Sequence, residues 1–140
     1  MSVLACAPLP QQERPPAMAI PPEYQQEVRE LTEIIDRYHH HIPPELSPRH
    51  AAVHQRLGII YYNIGELSEA DYHLHQSVQM NPGVAEAHLY LGRVLEAEGR
   101  YREAIQELTI ALELDPGLLD ARLELGELRQ LVEESSSAPQ

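Results

Sequence analysis

The chain has 140 residues, room for one domain of ordinary size. Its 22 acidic side chains outweigh 10 basic ones, all arginine and scattered, and a net charge of −12 without a basic stripe argues against nucleic acid as a partner. The lone Cys6 excludes an internal disulfide framework, and no apolar run approaches the ~20 residues that a membrane span needs.

Residues 1–22 hold six prolines (Pro8, Pro10, Pro15, Pro16, Pro21 and Pro22) and no helical period, which predicts an extended, tethering tail. An N-terminal helix follows over 23–41, with Tyr24, Val28, Leu31, Ile34, Ile35 and Tyr38 spaced by three and four on one face. Pro43 and Pro44 end it. Ser47 then offers a capping oxygen, and Pro48 sits where a missing N–H costs nothing. Phe and Trp are absent, so the core has to be built from Leu, Ile, Val, Ala and Tyr. Arginine without lysine is the habit of GC-rich genomes and suggests a bacterial source.

Beyond residue 50 the sequence repeats itself. Gly58, Gly92 and Gly126 recur at an interval of 34 residues, as do Leu57, Leu91 and Leu125. The same interval links Gly65 with Gly99, Ala70 with Ala104, Leu74 with Leu108, and Pro82 with Pro116. Each unit reads as two helices. The first stops at Gly65, which can take a left-handed conformation. Ser68 then caps the second, with Asp71 three residues on, and Asn81-Pro82 breaks it. Gly58 and Ala70 are small where the two helices must approach. Leu57, Tyr61, Leu74 and Val78 fill the seam of the first unit, and Leu91, Leu95, Leu108 and Leu112 that of the second.

This 34-residue pattern resembles the tetratricopeptide repeat. The family's leucine, glycine and aromatic-or-leucine positions fall on Leu57, Gly58 and Tyr61 and on Leu91, Gly92 and Leu95. Its second-helix alanine falls on Ala70 and Ala104, and its closing Asn/Asp-Pro on Asn81-Pro82 and Asp115-Pro116. His54 and His88 depart from it where a large apolar residue is usual, as does Ser77 where a small one is. The resemblance implies an all-α fold, a short right-handed α-α superhelix with an extra N-terminal helix and a C-terminal cap helix. Repeats span 51–84 and 85–118, the cap 119–134, and 135–140 is a disordered tail. Arg129 replaces Tyr61 and Leu95, which suits a solvated cap with no partner helix to bury it. Two repeats form a short stack, so the N-terminal helix either docks as a lid or mediates a homodimer.

Eight histidines invite a metal reading. His39, His40 and His41 are consecutive and point about 100° apart on a helix. His50 and His54 form a workable ligand pair at four-residue spacing, whereas His73 and His75 do not face each other. A zinc site needs three or four converging ligands, and no such spacing occurs, so packing or solvated histidines are the expectation, with His54 and His88 in the seam. No cofactor is expected. No Gly-x-Ser-x-Gly or phosphate-binding loop is present, and Cys6 has no histidine near it in sequence. The chain reads as a binder rather than an enzyme.

The resemblance places the partner-binding side chains on the concave face of the first helices. These are Gln55, Arg56, Ile59, Tyr62 and Asn63 in the first repeat, and Glu86, Leu89, Tyr90, Arg93 and Glu96 in the second. The cap adds Leu123, Glu124 and Glu127. A tyrosine and aliphatic centre with an acidic C-terminal rim suits an amphipathic helix or an extended peptide of some basic character. Gln55 and Ile59 stand where members that clamp the C-terminal carboxylate of chaperones have Lys and Asn, which argues against that role. The expected partner is another protein or peptide, engaged as an adaptor or assembly scaffold, alone or within a multi-subunit complex. The location is cytoplasmic as the sequence stands. The alternative comes from Val3-Leu4-Ala5-Cys6, which resembles a bacterial lipobox with Cys6 lipidated in the periplasm or outer membrane, although the usual upstream basic and apolar signal is missing.

Overall fold

A computed structural model describes residues 20–38 and 47–137. Most of the proline-rich tail with Cys6, the histidines at 39–41 and the last three residues lie outside the described residues. Six helices are present among those described, and no strand: α1 (Pro22–Arg37), α2 (Ser47–Asn63), α3 (Leu67–Met80), α4 (Ala85–Ala97), α5 (Tyr101–Leu114) and α6 (Leu119–Ser137). α2 packs on α3 and α4 on α5 as two hairpins. α3 joins them by contacting α4, α6 closes on α5, and α1 lies against α2. The result is an α-α superhelix. None of these helices is long and apolar enough to cross a membrane.

The turn inside each hairpin follows from one glycine. Gly65 and Gly99 have φ of 83° and 78°, the left-handed region that side chains with a Cβ avoid. That conformation brings the Glu66 N–H back to the Tyr61 carbonyl (2.9 Å) and the Gly65 N–H to that of Tyr62 (3.0 Å). Arg100 and Gly99 repeat the pattern on Leu95 and Glu96. Both turns are Schellman motifs, which satisfy the orphan carbonyls of the helix end. The backbone then re-enters a helix at once. α3 therefore starts at Leu67 from Glu66 without a side-chain cap, and Ser68 does not cap it as its spacing predicts. Between hairpins, the Asn81 and Asp115 side chains accept hydrogen bonds from the N–H groups of Gly83 (3.3 Å) and Gly117 (2.9 Å).

The glycine at the centre of each first helix sets how closely the hairpin shuts. A Cβ on Gly58 would lie 2.5 Å from Cγ of Leu74, and one on Gly92 2.9 Å from Cγ of Leu108. Leu74 and Leu108 are fully buried in those notches, each contributing on the order of 2 kcal/mol. The main core runs from Ala70 and Leu74 through Leu91, Val94 and Leu95 to Ala121, Leu125 and Leu128. A second cluster joins Val28 of α1 to Leu57 and Ile60 of α2, with Tyr24, Leu31 and Ile35 at its margin.

α1 is thus docked as a lid on the first repeat, although Ile34 points outward at 36% exposure. The helix ends at Arg37, with the Tyr38 N–H on the Ile35 carbonyl (3.1 Å), short of position 41. At the other end α6 passes Glu134 and continues to Ser137. The hydroxyls of Ser135 and Ser136 bond to the Val132 carbonyl and that of Ser137 to the Glu133 carbonyl, which keeps those serines in the helix.

Candidate functional site

α2, α4 and α6 occupy the same place in successive units, and side chains one repeat apart meet along one side of the array. The Gln55 amide donates to Glu86 (2.7 Å), joining α2 to α4. Tyr62 and Tyr90 meet edge to face, centroids 5.8 Å apart. The Arg93 guanidinium lies over the Tyr90 ring (5.1 Å) and reaches α6, donating to Glu124 (2.8 and 2.6 Å) and Asp120 (3.2 Å). Toward α1, Arg56 pairs with both carboxylate oxygens of Glu27. A shallow hollow of about 230 Å³ opens between Ala52, Gln55, Arg56, Ile59 and Glu86.

The expected partner-binding residues therefore divide by what they touch. Gln55, Ile59, Tyr62, Tyr90 and Glu96 are half-buried along this face, while Arg56, Asn63, Glu86, Leu123 and Glu127 are exposed. Leu89 does not belong with them. It is 4% exposed and belongs to the main core cluster. Arg93 is chiefly a strut. Burial opposes its charge, but the hydrogen bonds and charge of Glu124, helped by Asp120 and Tyr90, raise its pKa above the ordinary arginine value. Leu123 stands at the end of the array rather than over the groove's centre, 67% exposed.

The electrostatics change along the face. At the three inward registers α2 presents Arg56, Ile59 and Tyr62; α4 presents Tyr90, Arg93 and Glu96; α6 presents Glu124, Glu127 and Gln130. Burial first, then the charges of Glu124 and Glu127, push the Glu96 pKa up against the weaker pull of Arg93. Oε2 of Glu124 is buried without a hydrogen-bond partner. The C-terminal end of the face thus holds more negative charge than its one arginine neutralises.

A different polar set occupies the hairpin seams. Nδ1 of His54 lies 2.9 Å from Nδ1 of His73, and His73 stacks on Tyr61 with ring planes 3° apart. Burial, then the charge of His50, lowers the His54 pKa from 6.5 to about 4, so His54 is neutral. In the second hairpin Nδ1 of His88 meets Glu107 (2.7 Å) and Nε2 donates to the Pro82 carbonyl (2.9 Å). The Glu107 hydrogen bond, against the cost of burial and with help from Pro82, raises the His88 pKa. Both histidines are buried in the seam. His50 and His54, whose four-residue spacing would suit a ligand pair, are both buried, and no group of three His, Cys, Asp or Glu among the described residues is placed to hold a metal ion. The pairing partners, His73 and Glu107, were missed in the sequence although they too stand one repeat apart.

Residues 56–118 match the family model of the tetratricopeptide repeat. Solved structures share the fold. MamA superposes with a TM-score of 0.67 at 21% identity, over 80% of this chain and 64% of that one, so this chain spans less than two thirds of MamA's length. A C-terminal TPR-containing domain of a putative FK506-binding protein from Plasmodium falciparum gives 0.71 at 19% identity, over 83% and 82% of the two chains. The first TPR of Spaghetti (RPAP3), bound to the HSP90 peptide SRMEEVD, gives 0.60 at 21% identity, over 79% and 81%. No curated protein matches the chain.

Proposed function

We propose that this chain, which belongs to the tetratricopeptide-repeat family, is a protein-interaction module that binds a peptide or helix of basic character along α2, α4 and α6. The observation that carries this reading is the uncompensated acidic end of that face. Glu96, Glu124 and Glu127 share that end with Arg93 as their one cation; burial first, then the charges of Glu124 and Glu127, raise the Glu96 pKa, and one buried carboxylate oxygen of Glu124 has no donor. A lysine or arginine of a ligand placed there gains charge-assisted hydrogen bonds and relieves the repulsion. The Tyr62–Tyr90 pair and the hollow beside Ile59 supply the adjoining apolar contact. The half-buried tyrosines are already held by their neighbours, so little side-chain entropy is lost on binding.

The same face separates this chain from the peptide-bound relative. SRMEEVD ends in carboxylates, and Gln55 and Ile59 of α2 offer such a tail neither the Lys nor the Asn with which clamping members hold it. Binding, rather than catalysis, accounts for these groups, and an adaptor or scaffold role follows if the module joins a larger assembly.

Selection from a displayed library of random ten-residue peptides tests the proposal. Enriched sequences should carry Lys or Arg beside an aliphatic residue. They should lose about tenfold in affinity to a Glu96→Gln/Glu127→Gln variant, equivalent to ~1.4 kcal/mol, and SRMEEVD should not compete. No enrichment, or ligands indifferent to both substitutions, would overturn it. Arg93→Ala is a poor probe, because it also removes the tie between α4 and α6.

A further inference from the structure

α6 is the first helix of a repeat whose second helix is missing among the described residues. Its counterparts show what that helix would cover. In α2 and α4 the central glycine is a notch filled by Leu74 or Leu108, with an added Cβ meeting the leucine at 2.5 or 2.9 Å. At Gly126 an added Cβ would meet nothing within 4 Å. Beside this notch Leu119 and Leu123 are 66% and 67% exposed, more than any other large apolar side chain among the described residues. The same face has changed charge. Arg122 stands at the register of His54 and His88, and Arg129 at that of Tyr61 and Leu95. Both arginines are exposed, and the Arg122 guanidinium donates one hydrogen bond to the Pro116 carbonyl.

The filled second hairpin indicates the chemistry of an occupant. There Leu108 enters the notch, Ala104 four residues earlier permits close approach, and Glu107 just before the leucine pairs with His88. With arginine at both flanking registers in α6, a carboxylate at the Glu107 place gains two cations rather than one histidine. We propose that this face of α6 is a second docking surface, taken by an amphipathic helix of a partner protein. That helix presents a leucine to Gly126, a small residue four positions before it and a carboxylate immediately before it. The groove over α2, α4 and α6 favours a basic ligand and this end face an acidic helix, so the two surfaces select different partners and can be occupied together.

The chain's own α5 sequence, Tyr101–Leu114, has the required pattern and serves as the probe. A hydrocarbon-stapled peptide of it, bridged through the exposed positions of Arg102 and Gln106, would be titrated into the intact protein by fluorescence anisotropy. Saturable binding is expected, weakened at least tenfold by Gly126→Leu. That substitution fills the notch, and with open space around it the helical circular dichroism should be retained. A peptide with Glu107→Lys should bind wild type at least tenfold more weakly and recover on an Arg122→Glu/Arg129→Glu protein. Failure of the peptide to bind would overturn the proposal. So would equal affinity for the Gly126→Leu protein, or no recovery in the charge exchange. Sedimentation equilibrium showing a wild-type dimer that Gly126→Leu dissolves would also overturn it, making a second copy the occupant.

Discussion

The two hairpins share a backbone and differ in how their seams satisfy polar groups. The second encloses a histidine that bonds through both ring nitrogens, to Glu107 and to the Pro82 carbonyl, and buries Ala111 in the main core. The first puts His73 where the second has Glu107, so its seam pairs two imidazoles, one held neutral by burial. It also buries Nε2 of His50 and Oγ of Ser77 without hydrogen-bond partners. Ser77 stands at the register of Ala111. The same fold thus carries a well-satisfied seam and a frustrated one, and the frustrated one is the hairpin that α1 covers. The lesson is that a repeat's backbone tolerates several polar solutions in its seam, while the cost of each falls locally.

The largest effect should come from what the hairpins share. Gly58→Ala and Gly92→Ala each force a Cβ into a leucine, and overpacking of this kind costs about 1–3 kcal/mol. Gly58 should cost more, because its contacts include the Leu74 backbone nitrogen at 3.2 Å; urea unfolding measures both, and no loss at either would break the close-approach account. Next comes acid. His54 has its pKa depressed in the folded state, so the unfolded chain takes up the proton first as pH falls from 6.5 toward 4. That seam should lose on the order of 1–2 kcal/mol across the window, after allowance for solvent screening.

His88 has the opposite sign. Its raised pKa contributes stability that is present below pH 6.5 and is lost as pH rises through the raised value. Urea midpoints recorded from pH 4 to 8 test both arms. His73→Glu, which gives the first seam the second's pairing, should flatten the acid arm; a profile unchanged by it would contradict the assignment. Smaller again, Ser77→Ala removes a buried hydroxyl without a partner and should stabilise the protein by about 1 kcal/mol. Gly126→Ala, in open space on a helix, should add about 0.5–1 kcal/mol. A loss at Gly126 would mean that α6 is more crowded than its counterparts predict.

The repeat architecture was legible because its determinants are few and positional. Glycines that close a notch or turn a helix end, and Asn/Asp-Pro at the breaks, recur at one interval and tolerate few substitutes. Helix starts were less so, since a Schellman turn can begin a helix without a capping side chain, and Ser68 was therefore misleading. Of the candidate site, the inward registers followed from the repeat, but Leu89 did not. The sequence places it on the inner side of α4, and only the packing of neighbouring helices shows that its register is closed. The pairings of Arg93 with Glu124 and of His88 with Glu107 join residues 31 and 19 positions apart. Such contacts emerge only once crossing distances are known, although the shared registers of His73 and Glu107 hinted at one of them.

The most direct test of the central claim is to map where a selected basic peptide binds, by following amide chemical shifts of isotope-labelled protein during titration. The account predicts that shifts concentrate on Ile59, Tyr62, Tyr90, Glu96 and Glu127, with α3 and α5 largely unmoved. Shifts confined to α3 and α5, or to the α1 surface around Arg29 and Glu33, would contradict it.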